Sequence, residues 1–354
     1  MQKKIKVLLA YDHEIPLGGV SKSYKEAIID PTNELIKLAD DIGVKVNLFT
    51  DILCADFFKR NGELSFYDQY KNQLQETLRL GHDVQLHIHP HWIDSVFKDQ
   101  LYKPSNSFKL ADFKDKAYPN NIEGIVENSI KQLNEICLST KADYKCIAYR
   151  AGGFNMWPET NAILAALFNN GIRIDSSIPK GLFFKSNFST VDFRNMPEQC
   201  NWFISPQGDL NKPSQNGIWE VPIATINAGL WTNIVHGYRK VKYKERAFST
   251  GKTIHSGKTK IIDKLRFVLS VRMLGFDLHT LSSDDLMRIL NKNIKEYSSE
   301  KEIVLSTVSH PKNMGAYSRM VMKEFVDKAR RKYGDAIDFP IFSSVYQNMI
   351  KTTA

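Results

Sequence analysis

The chain has 354 residues, of which 42% are hydrophobic and 25% charged, a mix that excludes a disordered chain and allows a sizeable core. A formal charge of +9 is modest at this length and does not by itself call for a nucleic-acid partner. No apolar run is long enough to span a bilayer, and the one in "MQKKIKVLLAYDHE" is too short for the core of a signal peptide. Cys54, Cys137, Cys146 and Cys200 are widely spaced and form no CxxC pair, so the expectation is a cytoplasmic protein with reduced core thiols.

Taken in chain order, short apolar runs alternate with helical patterns. "KIKVLLAYD" reads as a strand ending at Asp12, and "PTNELIKLADDIG" has helical spacing with Gly43 as its stop. "VKVNLFTD" is a second strand, "YDQYKNQLQETLRLGH" a helix closed by Gly81, and "DVQLHIHP" a third strand. "IEGIVENSIKQLNEICLS" is an amphipathic helix leading into "KCIAYRAGG"; "ETNAILAALFNNG" is helical and "IRIDSS" a short strand. "IWEVPIA" and "EIVLSTVSHP" are two more strands, and the end, "VMKEFVDKARRKYGDAIDFPIFSSVYQ", reads as a helix, a Gly334 cap and one last strand-like run. This alternation argues for a parallel sheet, open or closed into a barrel. It breaks only between residues 225 and 300, where a basic, Gly/Ser-punctuated stretch precedes "SSDDLMRILNKNIKEYS", a helix with a capping signal at Ser282. One domain over 1–354, with an insertion at about 225–300, accounts for the pattern.

The out-of-place polar residues share one address. Asp12, His13 and Glu14 end the first strand, His87, His89 and His91 the third, Arg150 the fourth, Asp175 the fifth and His310 the seventh; Glu220 lies in the sixth. In parallel α/β folds the C-terminal strand edge is where loops converge and sites are built. His87 and His91, four apart, can face one cation if a turn follows the strand, and imidazole nitrogens suit zinc. A third ligand from the Asp12-His13-Glu14 group leaves a position open for water, as a hydrolytic metal requires. The competing reading is a His-rich surface turn. His82 and His89 read as packing or supporting groups.

"YDHE", "GHDVQLHIHPH", "YRAGGFNMWP", "WEVP" and "STVSHP" occur in an order that resembles the polysaccharide deacetylases, the NodB-homology or carbohydrate esterase family 4 proteins. The likeness is stronger to divergent branches associated with surface polysaccharide and lipopolysaccharide genes. It implies a distorted (β/α) barrel of about seven parallel strands, with the inserted segment near 225–300. It also implies metal-dependent removal of an N-acetyl group from a sugar. On that resemblance Asp12 is the base, Arg150 holds it, and His310 is the general acid. His13, His87 and His91 ligate a divalent ion, most readily Zn2+, with Glu14 as the alternative to His13. The sequence departs from the family where two aspartates become Asp12-His13, where Ile88 replaces a Ser or Thr, and where "RAGGF" replaces a proline-containing form.

Trp157 and Trp219 are the candidates for stacking on a sugar face. The partner implied is a saccharide, lipid-linked or nucleotide-linked, and the basic run at 239–266 offers a contact to an anionic carrier or a membrane surface. Nothing resembles a nucleic-acid motif or a Gly-rich phosphate loop. Two other readings compete: a non-catalytic glycan-binding descendant of the fold, and an amidohydrolase acting on a small non-sugar amide.

Overall fold

The computed structural model describes residues 3–16, 23–98, 101–186, 189–227, 271–276 and 281–353, with residues 235 and 239. Seven strands follow one another along the chain: β1 (Lys4–His13), β2 (Val46–Asp51), β3 (Asp83–Ile88), β4 (Ala148–Ala151), β5 (Ile174–Asp175), β6 (Ile218–Glu220) and β7 (Glu302–Ser306). They pair in parallel in the order β6-β5-β4-β3-β2-β1-β7. The row curls until its ends meet beyond β6. There Ala224 N–H donates to Ser306 O at 2.9 Å and Ser306 N–H donates to Pro222 O at 3.2 Å. Before that bridge β6 pairs instead with the antiparallel strand Trp202–Ile204, so closure is confined to one end and the barrel is distorted.

The helices α1 (Asp30–Asp41), α2 (Ile52–Arg60), α3 (Leu64–Arg79), α4 (Ile122–Leu138) and α5 (Thr160–Asn169) fall between the first strands. Helix α6 (Ser283–Glu296) precedes β7, and α7 (Ala316–Tyr333) and α8 (Phe342–Thr353) close the chain. Phe66, Tyr70, Leu74 and Leu78 form the buried stripe of α3, four residues apart, which is why that stretch is a helix against a sheet. Ser282 caps α6 as its sequence suggests: its side chain accepts from Asp285 N–H, and the Asp285 carboxylate accepts from Ser282 N–H at 3.0 Å.

One expectation holds only in part at the C-terminus. Of the last strand-like run, Ile337–Asp338 is a short strand parallel to β1, but from Phe342 onward the chain is helix α8. Phe342 and Val345, three apart, share a helix face and pack with Leu8, Ala10, Phe49, Ala148, Ile174 and Val304 from five strands. The inner face of the sheet needs a plug, and the Asp83 carboxylate anchors it by accepting from Ser343 N–H (3.0 Å) and from its hydroxyl (2.6 Å). Aromatic and β-branched composition read as strand; tertiary packing overrode it.

The strand pleat sorts side chains into two layers. On β1, Leu8 and Ala10 face the inner cluster, whereas Val7, Leu9 and Tyr11 face the outer layer with residues of α1, α6 and α7. On β3, Val84, Leu86 and Ile88 join the outer cluster with α2, α3 and α4. Within the stretch read as an insertion, Thr225–Asn227 pairs antiparallel with Val271–Met273. The basic run at 239–266 lies outside the described residues except for Arg239, which pairs with Asp285. Among the described residues no helix is long and apolar enough to cross a membrane. All four cysteines are free and buried.

Candidate metal and catalytic site

Period-2 alternation carried past Ala10 puts Asp12 and Glu14 on the inner side of β1 and His13 on the outer side. The same rule on β3 turns His87 inward, and His89, two residues on, follows it. Glu14, His87 and His89 accordingly converge, each buried, with one ligand atom apiece inside a 4.8 Å sphere of mutual distance. His87 Nε2 lies 3.3 Å from Glu14 Oε2 and 3.1 Å from His89 Nε2, and His89 Nε2 is in direct contact with the same Glu14 oxygen.

The outer contacts aim these groups. His87 Nδ1 is 2.8 Å from the Arg150 carbonyl, which can only accept, so the proton sits on Nδ1 and the Nε2 lone pair is directed at Glu14 and His89. The other Glu14 oxygen, Oε1, accepts from Lys312 Nζ at 2.7 Å. Burial works against the Glu14 charge, yet the Lys312 ammonium and the adjacent His89 hold its carboxyl well below the usual range. Glycine is required at position 152: a Cβ there would lie 2.5 Å from Ile88 O and 2.7 Å from His89 Nδ1. Asp51 backs the same turn, accepting from His89 N–H at 3.3 Å and from Trp92 Nε1 at 2.6 Å. Burial pushes its carboxyl up to about 7.

Two imidazole nitrogens and one carboxylate oxygen, turned toward one another and oriented from behind, are a donor set that fits a divalent ion. It is also the His2Glu composition of open catalytic zinc sites, which leave a fourth position for water.

Beside this group lies a second acid. Arg150 is fully buried; Nη1 donates to Asp12 Oδ1 at 2.8 Å, and its other nitrogens reach Ser176 O, Ser176 Oγ, Ser306 Oγ and Thr307 O. The contact is therefore a single bond, not a fork, and Asp12 Oδ2 is left to face His310 Nε2 at 3.6 Å. Burial opposes the Asp12 charge, but Arg150, with His87 and His310, keeps the carboxyl below the ordinary value. His310 Nε2 is also 3.4 Å from Glu14 Oε1, and its side chain is 26% exposed, which puts it on the solvent side of the group.

Several sequence-based expectations need correction. His13 is not in the ligand group: it points outward, where Nε2 meets Gln73 Oε1 at 2.9 Å and the ring lies 4.7 Å from Tyr70, both on α3. Burial lowers its pKa to about 4, so it is neutral there. His91 is displaced by the turn at Pro90–Trp92, which packs its ring against Trp92 and Phe108. His89, read as a packing or supporting group, lies where His91 was expected, and Glu14, the alternative to His13, lies where His13 was expected.

Trp219 packs against the inner cluster plugged by α8 rather than with the polar group. Trp157 is half-buried, 4.8 Å from Phe193, and lines a groove with Lys109, Thr190 and Asp192. Asp175 pairs in register with Tyr149, so it shares the outer face and not that of Arg150, and Glu220 pairs in turn with Asp175. Lys312 was not singled out from the sequence at all. Its only signal is its place two residues after His310.

Neither a family model nor a curated protein matches the chain. Solved structures similar to it include a protein from Mycobacterium smegmatis assigned as a polysaccharide deacetylase, at 10% identity and TM-score 0.49, covering 100% of this chain and 92% of that one. Puue allantoinase is similar at 10% identity and TM-score 0.48, covering 98% and 90%. A protein from Pseudomonas aeruginosa PAO1 with the same assignment as the first is similar at 11% identity and TM-score 0.47, covering 98% and 91%.

Proposed function

We propose that the chain is a metal-dependent hydrolase that removes an N-acetyl group from a sugar, within surface polysaccharide or lipopolysaccharide assembly. The observation that carries the reading is the meeting, at the C-terminal ends of β1, β3, β4 and β7, of an ionised acid held by an arginine with a separate His2Glu donor set. The sequence motifs supply the reaction class, and the site supplies groups for each of its proton transfers.

Glu14, His87 and His89 would hold the ion; bound there, it contributes Lewis acidity toward the amide carbonyl and makes a water more acidic. Asp12 is the base. Arg150 occupies Oδ1, so Oδ2 is the oxygen that accepts the proton of the attacking water. His310, the most exposed of these groups, then delivers a proton to the amine nitrogen as the amide C–N bond breaks and acetate leaves. The groove at Trp157 offers a sugar an aromatic face with polar neighbours. The substrate on this reading is a saccharide, lipid-linked or nucleotide-linked.

The test is acetate release from N-acetylated sugars by the purified chain, with and without a chelator. Asp12→Asn is expected to lower kcat about 10²–10⁴-fold while leaving bound metal in place. Metal in the protein but no acetate from any acetylated sugar refutes the assignment. One observation favours a second reading, a non-catalytic glycan-binding module: Lys312 already balances the Glu14 charge without an ion. A purified chain that binds glycan but no divalent ion decides for it.

A further inference from the structure

Lys312 is almost fully buried, and it enters the site from the turn Pro311–Asn313 that follows β7. Its ammonium donates to Glu14 Oε1 at 2.7 Å and to the Ile15 carbonyl at 3.3 Å, tying the end of β1 to the loop after β7. The second oxygen, Oε2, is the one that meets His87 and His89. The two oxygens of this carboxylate are thus divided: Oε1 meets the ammonium, with His310 Nε2 at the longer distance of 3.4 Å, and Oε2 meets the imidazoles of His87 and His89.

That division has consequences for any ion in the site. A carboxylate free at both oxygens can chelate, which suits hard cations that gather oxygen ligands and depend on anionic charge. A carboxylate with one oxygen committed offers a single donor, and the adjacent ammonium cancels its charge. An ion that draws its affinity from imidazole nitrogen loses little by this; one that needs carboxylate oxygen loses much. We propose that Lys312 is a metal-selecting residue, restricting Glu14 to one oxygen and so favouring a nitrogen-binding ion such as zinc over manganese or magnesium. Resting on the metal-site reading above, the inference assigns a role to a residue outside the ligand set.

Equilibrium dialysis of the full chain against Zn2+ and Mn2+, singly and in competition, tests it, with bound metal read by elemental analysis. Wild type is expected to take up zinc stoichiometrically and to prefer it. Lys312→Met removes the ammonium from Glu14 Oε1, leaving His310 at the longer 3.4 Å, and is expected to shrink the zinc-over-manganese ratio about tenfold, the scale on which supporting contacts tune metal sites. Lys312→Gln keeps a donor but loses the charge, and is expected to shift the ratio in the same direction by less. It carries the test if the methionine variant does not fold. A ratio that stays within about twofold of wild type in a folded variant overturns the role of Lys312 and leaves the metal site standing. Wild type that binds neither ion overturns both readings. Zinc binding with the expected shift, but no acetate release, supports the selecting role and removes the deacetylase.

Discussion

Asp12 and Glu14 on the inner face of the sheet, and Asp175 and Glu220 on the outer, are all buried carboxyls, yet they hold protons in opposite ways. Burial alone raises all four. At Asp12 the Arg150 guanidinium, and at Glu14 the Lys312 ammonium, reverse that effect and keep the charge. Among the described residues no cation forms an ion pair with Asp175 or Glu220; Arg150 and Lys180 act on them only from farther off, and less than burial does. Asp175 Oδ1 accepts from the Ser177 hydroxyl at 2.6 Å, but among the described residues no side-chain or backbone donor is fixed on Asp175 Oδ2 or on either Glu220 oxygen. Burial raises Asp175, and burial together with the Asp175 charge raises Glu220 well above its ordinary value, so a proton on one carboxyl supplies the bond to the other. Charge survives in this fold where cations from distant parts of the chain reach it, and the proposed chemistry lies at the same place.

Breaking the inner pair should have the largest effect. Arg150→Met leaves Asp12 buried without its cation, and is expected to cost about 3–5 kcal/mol in urea unfolding. It is also expected to abolish acetate release. If stability is unchanged, the guanidinium is not what keeps Asp12 charged. The ligand set comes next. His89→Ala is expected to weaken ion binding at least about a hundredfold, whereas His91→Ala, which removes a ring packed against His89, Trp92 and Phe108, keeps it. Dialysis against zinc reads the difference, and the reverse result returns His91 to the site.

The outer pair sharpens the contrast at smaller cost. Its carboxyls hold protons more tightly folded than unfolded, so the unfolded chain releases them first as pH rises. Their contribution to stability is full below about pH 4, the ordinary carboxylate range, and declines above it toward the raised folded values. Glu220→Gln removes one of these groups and lets an amide donate to Asp175. The variant is expected to gain on wild type by on the order of 1–3 kcal/mol as pH climbs from about 4, in urea unfolding at several pH values. A gap that does not move with pH means that the pair shares no proton.

Much of the site was legible because a strand end is a local property. Asp12, Glu14, His87, Arg150 and His310 each stand where an apolar run stops, and parallel topology brings such stops to one edge. The position of His89 was also legible in principle, since residues two apart on a strand share a face. His13 and Glu14 are separated by the same pleat, which the resemblance to a two-aspartate motif obscured. Lys312, Trp219 and α8 were not legible in this way. A lysine in a turn or an aromatic run has the same local signature whether it faces solvent, a plug or a carboxylate.

By itself the sequence determined the succession of strands and helices, the parallel sheet they require, and the edge at which its ionisable groups gather, because periodicity and punctuation are written within a few residues. Only the tertiary structure decided which of those groups touch. Whether Arg150 meets Asp12 or Asp175, whether His89 or His91 reaches Glu14, and whether Glu14 offers one oxygen or two depend on contacts between residues up to about 300 positions apart. Those contacts exist only once the sheet has curled.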